Sequence, residues 1–246
     1  MSFGTSVGPM LEPIDAIECE TDFIEIAIGE HEIVPTELDI AQLRDELDER
    51  GDDLVVHLPF RQPMATSVEM FNEAFLSYMD QLLTSIAPLD PTKAVVHASC
   101  RDPERQEERD RLEKQIRELE AIGKSHDVQI CHENVGNFDG PALNDLAAMI
   151  AETDARMCLD TGHAFDEAGQ EGLEDIVATY PDLIDHVHLQ DTRPGQDLHM
   201  PIGAGEIEFD PLGEHLSADD TSICLELFTD DHDLRRDSMR RARRLF

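Results

Sequence analysis

Six short apolar runs in this chain end in a side chain that can bind a metal or move a proton: Leu54-Val-Val-His57, Ala94-Val-Val-His97, Ile130-Cys-His-Glu133, Met157-Cys-Leu-Asp160, His186-Val-His188 and Ile223-Cys-Leu-Glu226. Two loops extend the set. Asp160-Thr-Gly-His163 places an imidazole just past one run, and Asp197-Leu-His199 follows another in a Gly- and Pro-bearing segment. The candidates are therefore His57, His97, Glu133, Asp160, His163, His188, Asp197, His199 and Glu226. Imidazole suits Zn, Mn or Fe, and carboxylates suit Mn, Mg or Zn. Five His and four carboxylates gathered at one place would be costly without a cation to offset their crowding, so metal binding is the chemistry they imply.

Side chains alternate along a strand, so His57 shares its face with Val55, His97 with Val95, Glu133 with Cys131, Asp160 with Cys158, His188 with His186, and Glu226 with Cys224. The layer beneath the polar ring is thus expected to be mostly small and apolar. Cys131, Cys158 and Cys224 fall about 6 to 7 Å below it and read as buried fillers. His186 has the inward parity one layer lower and reads as a donor that orients His188 or a carboxylate. His132 has the opposite parity and should face the helical layer. His31, His126, His215 and His232 fall in loops or helices.

The elements that must position these groups alternate along the chain. Strands are expected at Phe3–Val7, Phe23–Gly29, Leu54–Phe60, Ala94–Ser99, Val128–Asn134, Met157–Thr161, Ile184–Gln190 and Ile223–Phe228. Helical spacing occupies Glu37–Arg50, Val68–Ile86, Pro103–His126, Pro141–Glu152, Leu173–Thr179 and Asp233–Leu245, with Asp102-Pro103 and Gly140-Pro141 as start signals. Eight such units in 246 residues predict one domain, residues 1–246, folded as a closed (β/α)8 TIM barrel. A doubly wound open sheet is the alternative. In a parallel barrel the strand C-termini form the catalytic face, which is where the polar run-ends would gather.

Composition narrows the partners. The chain carries 55 Asp+Glu against 19 Lys+Arg, a net charge of −36, which would repel DNA or an anionic membrane unless a local patch overcame it. The acids are spread through the predicted helices, as in a solvated shell suited to a salt-rich cytoplasm. Five Cys without a CxxC indicate neither a disulfide framework nor a zinc ribbon. No segment approaches the ~20 apolar residues of a membrane span, and the N-terminus lacks a signal-peptide pattern, so a cytoplasmic protein is expected. Six Arg crowd the last helix (Arg235, Arg236, Arg240, Arg241, Arg243, Arg244), where they suit the helix dipole or pair with acids. Arg61, Arg101 and Arg193 each follow a ligand-bearing run, and would bind a phosphate or carboxylate on a substrate or compensate an acidic rim.

The motifs His57-Leu-Pro-Phe, Val95-Val-His-Ala, His132-Glu-Asn-Val, Leu159-Asp-Thr-Gly-His-Ala-Phe, His186-Val-His-Leu-Gln-Asp, Asp197-Leu-His-Met-Pro-Ile-Gly-Ala-Gly and Leu225-Glu-Leu occur in this order between residues 54 and 228. In them the chain resembles the xylose isomerase-like TIM-barrel superfamily, which contains sugar isomerases, epimerases and the endonuclease IV family. For the isomerase and epimerase branch the resemblance implies one metal on Glu133, Asp160, His188 and Glu226, with His163 near the substrate. For the endonuclease branch it implies all nine positions around three Zn ions. The first strand, Phe3-Gly-Thr-Ser-Val, lacks the His-Val-Ser opening of the nuclease, the chain is short for it, and basic residues are few.

The function expected is a divalent-metal-dependent isomerase or epimerase (Mn, Mg, Co or Zn) acting on a small sugar, sugar phosphate or related polyol ketone. Glu133 and Glu226 would serve as ligands and acid/base groups, and His163 would orient a substrate oxygen. The alternative is a multi-zinc phosphodiesterase acting at abasic sites in DNA, with His57, His97, His163, Asp197 and His199 holding the additional ions. A non-catalytic barrel that keeps the site as a relic sits poorly with so complete a ring. The sequence leaves a homo-oligomer open.

Overall fold

A computed structural model describes residues 1–7, 14, 17–29, 39–136, 140–216 and 221–246. His31 and the first residues of the helix expected from Glu37 lie outside the described residues. Eight strands alternate with helices: β1 Ser2–Val7, β2 Phe23–Ala27, β3 Asp53–His57, β4 Lys93–His97, β5 Gln129–Glu133, β6 Arg156–Asp160, β7 Ile184–Leu189 and β8 Ser222–Leu225. Each pairs in parallel with the next, and β8 returns to β1 with Phe3 opposite Ile223. That last pairing closes the sheet and excludes the doubly wound alternative.

The helices are α1 Ile40–Arg50, α2 Glu69–Ile86, α3 Gln106–Ser125, α4 Leu143–Ala151, α5 Thr161–Thr179, α6 Asp210–His215 and α7 His232–Leu245. Their apolar residues recur at helical spacing, as with Leu112, Ile116 and Leu119 of α3, and pack on the outward side chains of the strands, such as Val56, Val96, Ile130 and Leu159. His132, of outward parity, is buried in this layer. All five Cys are buried free thiols.

Three sequence expectations shift. Asp102-Pro103 forms a turn, closed by the Arg105 N–H on the Asp102 carbonyl at 3.0 Å, and α3 starts only at Gln106. Likewise α4 starts at Leu143, two residues past Pro141. Asp160-Thr-Gly-His163, read as a loop, is instead the start of α5: the Asp160 carboxylate accepts the His163 N–H at 2.7 Å and caps the helix. A break at Gly169 (φ 68°) separates this first part from the segment expected at Leu173–Thr179. The short α6 was not anticipated. In α7 several arginines pair with acids, Arg236 with Asp233 and Glu18, Arg241 with Asp237, and Arg243 with Asp22, while Arg235 donates to the Thr229 carbonyl. Among the described residues no helix is long and apolar enough to cross a membrane.

Inside the barrel, Phe23, Val55, Val95, Cys131, Cys158 and Cys224 form a separate apolar cluster beneath the polar ring. Burial pushes the Cys131 thiol up to about 12 and those of Cys158 and Cys224 well above their ordinary value, so these sulfurs stay protonated fillers. The layer is not wholly apolar, however. Glu25 of β2 lies in it, 2% exposed, on the face it shares with Phe23.

Candidate active site

Register brings the run-ends together at the C-terminal face of the barrel. His97 lies directly opposite Glu133 across β4 and β5, and Asp160 opposite His188 across β6 and β7. His163 enters from the first turn of α5, while Asp197 and His199 come from the loop after β7.

All nine candidates form one network. Glu133 is its hub: its Oε2 lies 3.2 Å from His57 Nε2, 3.3 Å from His97 Nε2 and 3.5 Å from His188 Nδ1, and its Oε1 lies 3.4 Å from His163 Nδ1. His188 Nδ1 is also 3.2 Å from Glu226 Oε2. Asp197 bridges His199 Nε2 at 3.0 Å and His163 Nε2 at 3.6 Å. The tightest grouping is Glu133, Asp160, His188 and Glu226, whose donor atoms all lie within 4.8 Å of one another, and His163, Asp197 and His199 form a second group of the same kind.

Two atoms test whether a cation suits this arrangement. His188 Nδ1 and Glu226 Oε2 are buried and face each other at 3.2 Å, and among the described residues neither has a hydrogen-bond partner. A carboxylate oxygen only accepts, so a ring nitrogen presenting its lone pair there is satisfied by a cation. The ionisation pattern agrees. Burial opposes charge on Glu133 and Glu226, yet the imidazoles of His97 and His188 hold Glu133 well below the carboxylate range, and His188 and His199 lower Glu226 to about 2. Burial, with Glu226 and Glu133 beside it, raises Asp160 instead. Against its own burial, His188 is held protonated by the carboxylates around it, including Glu25, Glu226 and Glu133. The pocket therefore draws in positive charge, which a divalent ion would supply in place of protons. The residues fit such an ion.

A family model for the xylose isomerase-like TIM barrel matches residues 15–245. The chain belongs to this family. Among solved structures, a D-tagatose 3-epimerase-like protein superposes with a TM-score of 0.82 at 22% identity, over 100% of this chain and 97% of that one. The 3-keto-D-glucoside 4-epimerase YcjR of E. coli superposes with a TM-score of 0.74 at 19% identity, over 99% of both chains. These likenesses concern the fold. In sequence, the chain is 33% identical to an inosose dehydratase of Serratia proteamaculans over 106 residues, 42% of this chain and 35% of that protein. It is 28% identical to an uncharacterised protein of Methanocaldococcus jannaschii over 131 residues, 47% of this chain and 51% of the relative. The chain thus aligns with about half or less of the curated relatives it matches.

Within this xylose isomerase-like barrel, four supporting residues escaped the sequence reading. The Asn134 side chain mimics a strand partner for Asp160, accepting its N–H at 2.8 Å and donating to its carbonyl at 3.1 Å. Gln190 donates to both Asp160 oxygens. It packs so closely on Gly162 that a Cβ there would lie 2.5 Å from the Gln190 side chain. Asp191 accepts the backbone N–H groups of Thr192, Gly203, Gly205 and Ile207, which ties down the loop carrying Asp197 and His199. Glu25 accepts from His186 at 2.9 Å and His188 at 3.1 Å. Asn134, Gln190 and Asp191 lie in the motifs already noted, and an acid at inward parity in an apolar strand was the available signal for Glu25.

The arginines do not share the ring's burial. Arg61, Arg101 and Arg193 are all exposed. Arg61 lies over Phe60 at 5.9 Å, and Phe60 in turn packs against His57 and His97. Arg101 lines a separate groove of about 810 Å3 beside α2, with Phe71, Phe75 and Tyr78.

Proposed function

We propose that the protein is a divalent-metal-dependent isomerase or epimerase of a small sugar, sugar phosphate or related polyol ketone. The observation that carries this reading is the convergence of Glu133 and Glu226 with Asp160 and His188, donor atoms within 4.8 Å of one another at the mouth of the barrel. These four would hold the ion, which when bound supplies polarisation of adjacent carbonyl and hydroxyl oxygens and so acidifies the neighbouring C–H. Mn, Mg, Co and Zn all suit the donor set.

Glu133 and Glu226 are both held ionised, so either can take a proton from carbon, and the carboxylic acid so formed returns that proton to the substrate. His163 donates Nδ1–H to the Asn134 carbonyl at 3.0 Å, which fixes its ring, and Nε2, 3.6 Å from Asp197 Oδ2, would orient a substrate oxygen. Exposed Arg61 and Arg193 follow β3 and β7 and would attract a phosphate or carboxylate on the substrate, whereas Arg101, expected beside them, lines the groove at α2. The sugar epimerases among the structural neighbours and the inosose dehydratase among the relatives point the same way.

A second reading, a three-zinc phosphodiesterase acting at abasic sites in DNA, is favoured by the outer groups: His57 and His97 on Glu133, and His163 with Asp197 and His199. The net charge of −36 works against a duplex partner. Counting metal per chain, followed by paired assays on a ketose panel and on abasic-site DNA, decides between the two. One exchangeable Mn, Mg or Co with ketose turnover is expected; three Zn with DNA cleavage and no ketose turnover would overturn the first reading.

A further inference from the structure

A line of hydrogen bonds runs through the barrel core below the ring. At its lower end Lys93 Nζ lies 3.0 Å from Ser222 Oγ, which lies 2.6 Å from His186 Nδ1. His186 Nε2 reaches Glu25 Oε2 at 2.9 Å, and Glu25 Oε1 lies 3.1 Å from His188 Nε2. Four of these residues are buried, and Lys93 is nearly so. Such a polar line through a barrel interior is costly unless its donors and acceptors match all along it.

The direction of every bond follows from the ends. An ammonium only donates, so Ser222 Oγ accepts from Lys93; of the two acceptors beside its hydroxyl, the Asp185 carbonyl at 3.3 Å and His186 Nδ1 at 2.6 Å, its proton goes to the nearer, His186 Nδ1. His186 is then the Nε2–H tautomer and donates to Glu25. A carboxylate only accepts, so His188 also points an N–H at Glu25, through Nε2. With Nε2 committed as the donor, the neutral His188 ring has its lone pair on Nδ1, the buried atom facing Glu133 and Glu226.

We propose that Glu25 is a positioning residue that fixes the tautomer and angle of His188, and that Lys93, Ser222 and His186 hold the Glu25 carboxylate in place beneath it. The inference rests on the proposed metal site, because what Glu25 prepares is the ligand nitrogen. A carboxylate behind a ligating imidazole also raises its basicity, and loss of such a partner typically weakens metal binding 10- to 100-fold.

The test compares the full-length wild type with Glu25→Gln, Glu25→Asp and Ser222→Ala, each checked by far-UV circular dichroism and titrated with Co2+ and Zn2+. Glu25→Gln is expected to bind 10- to 100-fold more weakly and to shift the visible Co2+ spectrum, Glu25→Asp to recover part of the affinity, and Ser222→Ala to lose several-fold. In the Zn2+-loaded wild type, long-range 1H–15N spectra should report His188 as the Nε2–H form, with the signal identified by its loss in His188→Gln. Should Glu25→Gln not fold, Ser222→Ala and the wild-type tautomer carry the decision. A wild type that binds no divalent ion sinks the metal reading and this one with it. A wild type that binds normally, with an Nδ1–H His188 or with variants unchanged in affinity and spectrum, overturns the role of Glu25 alone.

Discussion

Gln190 donates its amide to both carboxylate oxygens of Asp160, at 3.1 Å each, while its carbonyl accepts the His199 N–H at 2.9 Å. One side chain thus couples a ligand candidate at the end of β6 to another on the loop after β7. Gln190→Leu keeps the volume but removes both links, and should weaken divalent-metal binding 10- to 100-fold with a far smaller effect on melting temperature. Calorimetric titration with Mn2+ or Zn2+ measures it. An unchanged affinity would show that Asp160 needs no such support.

Glu133→Gln should abolish turnover and leave the fold intact. Removing a positioned acid/base group costs 10²- to 10⁴-fold, and this one also serves as a proposed ligand. Steady-state assay on a responsive ketose, beside a circular dichroism spectrum, checks both halves. Activity within tenfold of wild type would sink the proposed mechanism.

Removing the metal should lower stability. An ion present at 100 times its dissociation constant adds about 2.7 kcal/mol. For a chain of this length that corresponds to roughly 5 to 10 °C in melting temperature. Thermal scans with EDTA and with re-added Mn2+, Co2+ or Zn2+ should differ by that amount, and identical scans would count against a bound ion.

Asp191 holds four backbone N–H groups that span residues 192 to 207. Asp191→Ala strands those donors and should cost about 3 to 5 kcal/mol, with Asp191→Asn, which keeps one acceptor oxygen, costing roughly half. Urea denaturation gives the magnitude. Limited proteolysis locates it: cleavage should appear between Thr192 and Ile207 in the variants first.

Burial lowers His132 to about 3, and among the described residues neither ring nitrogen has a hydrogen bond. The unfolded chain therefore binds a proton that the folded chain refuses, so this residue makes stability rise with pH between about 3 and 6.5. His132→Leu should remove that contribution. Subtracting its stability profile from wild type across pH 5 to 6.5 should leave a rise of about 1.5 kcal/mol. A flat difference would mean that the ring titrates freely in the fold.

Much of the fold was legible because it rests on short-range patterning. The eight strands appear where apolar runs predicted them, and the inward parity of His57, Glu133 and Asp160 was readable from alternation alone. The departures lie where a tertiary partner overrides a local signal. Asp160-Thr-Gly-His163 reads as a loop just past its strand, yet Asp160 caps a helix there and Gly162 leaves room for Gln190. Pro103 looked like a helix start but belongs to the turn before α3.

The sequence by itself determined which chemical groups the protein owns and which end of the barrel they occupy, since strand periodicity sets the face and run position sets the height. Only the tertiary structure decided which groups share an ion-sized space and which lean on others. Barrel closure and its stagger bring Glu25 under His188, partners 163 residues apart in the chain. No local pattern encodes that distance, because it is set by the pairing register of all eight strands.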